Sequence, residues 1–131
     1  MHSISLQTHK RCELIDITSR INEIIAKENF RDGFLMIFVP HTTAAVTINE
    51  NADPDVCHDI LLTLEELIPH IRKGYRHGEG NSDAHVKASL VGSSETILVE
   101  NGRLCLGTWQ GIYFCEFDGP RTRMMNIKTV S

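Results

Sequence analysis

Apolar positions change period several times along this chain, and each change marks an element. Residues 2–8 alternate loosely between polar and apolar and predict a strand. Thr18 or Ser19 can cap a helix that puts Ile17, Ile21, Ile24 and Ile25 on one face, and Asp32-Gly33 ends it. Residues 34–39 form a continuous apolar run, the pattern of a strand buried on both faces. Pro40-His41-Thr42-Thr43 interrupts it. Residues 45–49 predict the next strand, with Val46 and Ile48 on one face and Ala45 and Thr47 on the other.

Asp53-Pro54 combines an N-cap acid with proline at the first helical position. Val56, Cys57, Ile60, Leu61, Leu64, Leu67 and Ile68 then repeat at helical spacing up to Pro69. About a dozen residues after position 71 carry no hydrophobic period. Asp83 is expected to cap a short helix over residues 84–91, closed by Gly92. Residues 96–99 predict a strand, and Asn101-Gly102 a hairpin turn into 104–106. Two more strands, 112–117 and 122–130, are joined by Asp118-Gly119-Pro120. Six or seven strands and three helices make one α+β domain over residues 1–131, with a largely antiparallel or mixed sheet.

A long polar loop inside a small domain is uncommon, and it is usually functional or disordered. Here it runs into a capped helix, which favours function. Composition narrows the class. The net charge of -4 speaks against nucleic-acid or anionic-membrane binding through bulk positive charge. No run of apolar residues is long enough to span a membrane, and residues 1–9 lack an apolar signal core. The four cysteines form no Cys-x-x-Cys pair and read as buried free thiols, which suits a cytoplasmic protein.

Of the seven histidines, three sit at element ends or in loops: His41, His77 and His85. Three neutral imidazoles can hold Zn²⁺ and leave a position for water. Their spacing matches no zinc signature, so three unrelated histidines remain the alternative. Gly78, Gly80, Asn81 and Ser82 lead into a helix start, where free N–H groups attract phosphate or carboxylate; Asp83 as cap would oppose this. Arg121 and Arg123 are expected on one strand face, as a pair for an anion, or with Glu116 as an ion-pair partner across a hairpin. Trp109 and Gln110, between two glycines, suit a pocket wall or a core position at a bulge. Glu50 is a candidate general base or extra ligand. His2, His9, His58 and His70 read as solvated.

Six segments together resemble the YjbQ family, also called the secondary thiamine-phosphate synthase family. They are His41-Thr-Thr-Ala-Ala, Asn49-Glu-Asn-Ala-Asp53, His77 with Asn81-Ser-Asp-Ala-His85, Gly92-Ser-Ser94, Leu106-Gly-Thr-Trp-Gln110 and Glu116-Phe-Asp-Gly-Pro-Arg121. The resemblance implies a small α+β domain assembled as a homotrimer, with pockets near subunit boundaries. It implies weak synthesis of thiamine phosphate, in which a thiazole phosphate alcohol attacks the methylene of a pyrimidine pyrophosphate and pyrophosphate leaves. It also implies a metal at His41, His77 and His85, Zn²⁺ by donor type, or Mg²⁺ with a pyrophosphate substrate. In that frame His41, Glu50, Asp83 and His85 are the catalytic candidates. Asn81, Ser94, Trp109, Gln110, Glu116, Arg121 and Arg123 are the candidates for holding a phosphorylated or carboxylated metabolite. The alternative is a non-catalytic trimer that binds a metabolite or a metal.

Overall fold

The computed structural model describes residues 1–131. Its elements run β1 (His2–Gln7), β2 (Glu13–Asp16), α1 (Thr18–Lys27), β3 (Gly33–Phe38), β4 (Ala44–Glu50), α2 (Pro54–Leu67), α3 (Ser82–Val91), β5 (Ser94–Glu100), β6 (Arg103–Leu104), β7 (Gln110–Glu116) and β8 (Thr122–Val130). One sheet has the order β1-β8-β3-β5-β6 and the other β2-β7-β4. Every strand pair is antiparallel. No helix is long and apolar enough to cross a membrane.

The two sheets enclose one core. Ile4, Leu6, Leu35, Ile37, Ile97, Val99, Met125 and Ile127 face it from the larger sheet, and Val46, Ile112 and Phe114 from the smaller. Helix α1 contributes Ile21 and Ile25, with Ile17 just before it, as the isoleucine period predicts. A second cluster lies on the reverse of the small sheet, where Ala45, Cys115 and Phe117 meet Ala84 and Ala88 of α3. Alanines four apart stack on one helix face and let the helix approach the strands closely. Strand β7 is thus covered on both faces, and its residues 111–116 are all buried.

Four expectations need correction. The run 34–39 is not buried on both faces: Leu35, Ile37 and Val39 are buried, while Met36 and Phe38 are exposed on the outer face of the large sheet. Strand β2 went unpredicted, because four half-buried residues carry too short a pattern. Thr18 does not cap α1. Asp16 does that work from outside, accepting from the Thr18 backbone N–H at 2.9 Å. Finally, residues 118–120 do not form a hairpin. They carry the chain from β7 in the small sheet to β8 in the large one.

This crossover is tightly packed. A Cβ on Gly119 would collide with the Lys10 carbonyl oxygen and stand 2.8 Å from both Glu116 Cγ and Thr8 Oγ1. Beside it, Glu116 of β7 and Arg123 of β8 form an ion pair buried between the sheets. Arg123 Nε donates to Glu116 Oε1 at 2.9 Å and Oε2 at 3.1 Å. Its NH2 group also donates to Glu116, and to Thr43 Oγ1 at 2.9 Å and Thr43 O at 3.2 Å. Thr8 Oγ1 donates to Glu116 at 2.7 Å, and the backbone N–H groups of Phe117 and Asp118 donate at 3.1 and 3.2 Å. Both Glu116 oxygens are engaged, and Arg123 donates from Nε and Nη2, which is what makes a buried ion pair tolerable.

Removing one partner should therefore cost far more than removing both. Glu116→Leu is expected to lose about 3–5 kcal/mol by urea denaturation, with the guanidinium left buried and unpaired. Adding Arg123→Met should recover a large part of that loss. A single variant within about 1 kcal/mol of wild type would contradict a central role for this pair.

Candidate functional site

The end of β3 generates the site. Its last pair with β8 is Phe38↔Asn126, after which the chain turns away. The Met124 N–H then lacks a strand partner on that side, and His41 Nε2 accepts it at 2.9 Å. Two residues on, Thr43 is held by Arg123. The turn bearing His41 and Thr42 is thus pinned by a strand edge at one end and by the core ion pair at the other. Burial first, and then the positive charge of Arg123, push His41 below the ordinary histidine pKa, so its ring is neutral at pH 7.

Helix α3 closes the other side. Ala84 and Ala88 seat it on the small sheet, which brings His85 and Ser89 toward the turn. A cleft of about 360 Å³ results, lined by His41, Thr42, Ala44, His85, Ala88, Ser89, Gly92 and Ser93. Gly92 ends the helix at φ +102°, a left-handed value that glycine adopts without steric cost. His77, from the polar loop, meets His85 edge to face with ring centroids 5.3 Å apart. A second, adjoining cleft of about 370 Å³ is bounded by His77, Ser82, His85 and Val86. His77 Nε2 lies 3.7 Å from Glu79. The ring nitrogens of His85 make no hydrogen bond within the chain and are not buried without a partner.

Asp83 has a different role from the one expected. Asn81 is the N-cap residue of α3, and Asp83 lies inside the helix, fully buried. Arg11 grips its carboxylate with two N–H groups at 3.0 and 2.9 Å, and Lys87, one turn on, donates at 3.1 Å. Lys87 is itself buried and reaches Glu65 at 3.0 Å. Burial would raise the carboxyl pKa, but the bonds from Arg11 and Lys87 outweigh it and hold Asp83 at about 2. A carboxylate in that state neither caps the helix nor exchanges protons near neutrality. The Asn81 side chain does not cap either. It donates to Asp118 at 2.8 Å, and its Oδ1 is buried without a partner.

Of the two expectations for the arginines, the ion pair with Glu116 holds for Arg123 and the anion-binding pair does not form. Arg123 is buried against Glu116, while Arg121 stands outside before β8 and binds Asp118 through O at 2.8 Å and Oδ2 at 3.0 Å. Ser94 is exposed at the start of β5, next to Ser93 of the cleft. Glu50, Trp109 and Gln110 lie at the far end of β4 and β7, roughly 20 Å along the strand from the histidine turn. There Trp109 is 63% exposed, and Gln110 Oε1 accepts from the Gly107 N–H at 2.8 Å. Within one chain these three do not join the histidines. Nor does one chain assemble the three-histidine metal site, for no group of three His, Cys, Asp or Glu side chains is arranged to hold an ion. The lone pair of His41 Nε2 is occupied by Met124, which leaves His77 and His85 as the available imidazoles.

Sequence reasoning missed Arg11, Thr42, Ser89, Ser93 and Lys87. The Asp83/Lys87 spacing of four was a legible signal for a same-face ion pair. Ser89, four after His85, shares its helix face in the same way, while Arg11 reaches Asp83 only through the tertiary fold.

The buried carboxylate yields a pH prediction. A depressed pKa means stability that is complete above the unfolded value of 3.8 and is lost as pH falls through about 2. Asp83→Asn should cost about 3 kcal/mol or more at pH 7, because it strands Arg11 and Lys87. Roughly 2 kcal/mol of that gap should close between about pH 4 and pH 2, read from urea midpoints of both proteins. A gap that stays constant over this range would rule out the Asp83 charge as its source.

A family model described as UPF0047 protein YjbQ-like matches residues 2–131. The UPF0047 protein YugU of Bacillus subtilis is 52% identical over 98% of this chain and 97% of its own length. A UPF0047 protein of Methanocaldococcus jannaschii is 54% identical over 95% of this chain and 90% of its own. Among solved structures, an uncharacterized conserved protein of the YjbQ/UPF0047 family from Clostridium acetobutylicum superposes with a TM-score of 0.96 at 52% identity, covering 99% of this chain and 100% of that one. The chain belongs to the YjbQ-like UPF0047 family.

Proposed function

We propose that the cleft between His41 and His85 is the functional site, and that it takes a small phosphorylated or carboxylated metabolite. One observation carries this: no carboxylate lines the cleft, whereas two imidazoles and the hydroxyls of Thr42 and Ser93 do, Ser89 donating instead to the His85 carbonyl. Such a lining offers hydrogen-bond donors to an anion and no like charge to repel it. The chemistry proposed is that of the secondary thiamine-phosphate synthases, as a weak transferase activity. His85, whose ring is tied to nothing, is the group to take the proton of an attacking alcohol. The donors of the cleft would stabilise charge developing on a departing pyrophosphate.

A divalent ion would find two imidazoles here, His77 and His85, short of the expected three. Zn²⁺ suits that donor type, whereas Mg²⁺ would sit on oxygens of the ligand itself. Homotrimer formation is proposed as well. The outer face of the large sheet exposes Met36, Phe38, Leu98, Met124 and Val130, a set of large apolar residues that a second copy would cover.

Three measurements test these points. With a thiazole phosphate alcohol and a pyrimidine pyrophosphate as substrates, His85→Ala is expected to lower turnover about 100-fold or more, well beyond its effect on phosphate affinity. Loss of phosphate binding, with no turnover in wild type, would instead support a non-catalytic binder. Metal analysis of protein purified without an affinity tag, beside a His77→Ala/His85→Ala variant, decides whether the pair holds an ion. Sedimentation should give three times the 14.8 kDa chain mass, and a monomer at micromolar concentration would remove the trimer.

A further inference from the structure

We infer that His41 is a fixed-tautomer hydrogen-bond donor of the cleft: Nε2 is committed to the Met124 N–H, and Nδ1–H is offered to an acceptor oxygen of the ligand. This rests on the cleft being the site, but its first step does not. A backbone N–H in a sheet requires an acceptor, and β3 supplies none beyond Phe38. His41 Nε2 takes that place at 2.9 Å. An N–H can only donate, so Nε2 must present a lone pair. A neutral imidazole with a lone pair on one nitrogen carries its proton on the other. Rotating the ring by half a turn would set a carbon against the N–H and orphan it, so the opposite assignment is disfavoured.

The free nitrogen faces open space. Nδ1 has no partner in the chain, yet the single buried side-chain atom left unsatisfied is Asn81 Oδ1. His41 Nδ1 is therefore accessible, and its ring lines the cleft. Protonating Nε2 would set two donors against each other. The neighbouring charges of Arg123 and Arg121 also disfavour the imidazolium, and Glu116 opposes them only in part, since Arg123 already engages it.

The consequence is a division of labour between two histidines. His41 cannot act as a base or bind a metal without releasing Met124, since one nitrogen is bonded and the other protonated. It polarises or holds an acceptor, as an amide N–H would. His85 keeps both nitrogens free for proton chemistry. The matching ligand class carries a phosphoryl, carboxylate or carbonyl oxygen.

Long-range ¹H–¹⁵N correlation spectra of the full-length labelled protein test this, with the His41 ring assigned by its loss in His41→Gln. The expected pattern is a proton on Nδ1 and a lone pair on Nε2, unchanged between about pH 6 and pH 8. Inorganic phosphate is expected to shift Nδ1 and leave Nε2 in place. A proton on Nε2, an imidazolium in this range, or a His41 nitrogen shifted by added Zn²⁺ would overturn the assignment. So would phosphate that shifts the ring of His85 but not Nδ1 of His41. If phosphate moves neither ring, the anion-binding cleft falls, while the tautomer still decides the state of His41. His41→Gln and His41→Glu add a second readout, because either side chain can still accept from Met124, while the Gln NH2 stands off the Nδ1 place and the Glu carboxylate has no donor at all. Phosphate affinity should drop about tenfold or more while slow exchange of the Met124 amide is retained. Unchanged affinity with lost amide protection would assign His41 a structural role alone.

Discussion

The Arg123–Glu116 pair is the interaction on which the rest of the molecule depends. It is the polar bond between two sheets that otherwise meet through apolar side chains. Four separate segments converge on it: Thr8 after β1, Thr43 before β4, Glu116 closing β7 and Arg123 opening β8. Apolar contact tolerates sliding, because it has no direction. A guanidinium in contact with two carboxylate oxygens, a hydroxyl and a carbonyl does not slide. The pair therefore sets the register between the sheets at the end where the histidine turn emerges. The fit at Gly119, where no Cβ can be accommodated, enforces the same geometry through sterics.

From that fixed point the site follows in two steps. Thr43 is bound to Arg123, so the turn after β3 has one anchored end. His41 then anchors the other by taking the N–H that β3 leaves behind. The imidazole is at once a sheet cap and a wall of the cleft. A functional group held by the hydrogen-bond accounting of a strand edge needs no further support to keep its orientation.

Much of the fold was legible because local pattern and final environment agree. Asp53 caps α2 by accepting from the Asp55 N–H at 2.9 Å, with Pro54 opening the helix, as that dipeptide predicts. The isoleucines before and within α1 fill the core, and β8 occupies the span the pattern gives. The errors share a cause. An apolar run does not say whether one face or two will be covered, so β3 and β7 look alike although only β7 is enclosed. A turn of three residues looks the same within a sheet as between two sheets, so the β7–β8 crossover resembles a hairpin. Asp83 reads as a cap because the partner that grips it with two N–H groups, Arg11, is 72 residues away, although Lys87 one turn on was a local hint. His41, His77 and His85 could be singled out by their positions at element ends. Their division into one committed ring and two free ones depends on a backbone N–H that no local pattern reveals.

One electrostatic arrangement unifies the core and the cleft. The chain has a net charge of -4, a poor starting point for an anion site. Yet three acids close to the cleft are turned inward and matched. Glu116 is held by Arg123, Asp83 by Arg11 and Lys87, and Asp118 by Arg121 and Asn81. These pairs are buried or partly buried, so their charges are compensated at close range rather than by salt. What remains on the surface between α3 and the turn is neutral: imidazole, hydroxyl and backbone. An anion entering the proposed site there would meet donors and no carboxylate in the cleft lining. The ion pairs that hold the fold together also remove negative charge from the proposed site, and so would bear on anion binding without touching a ligand.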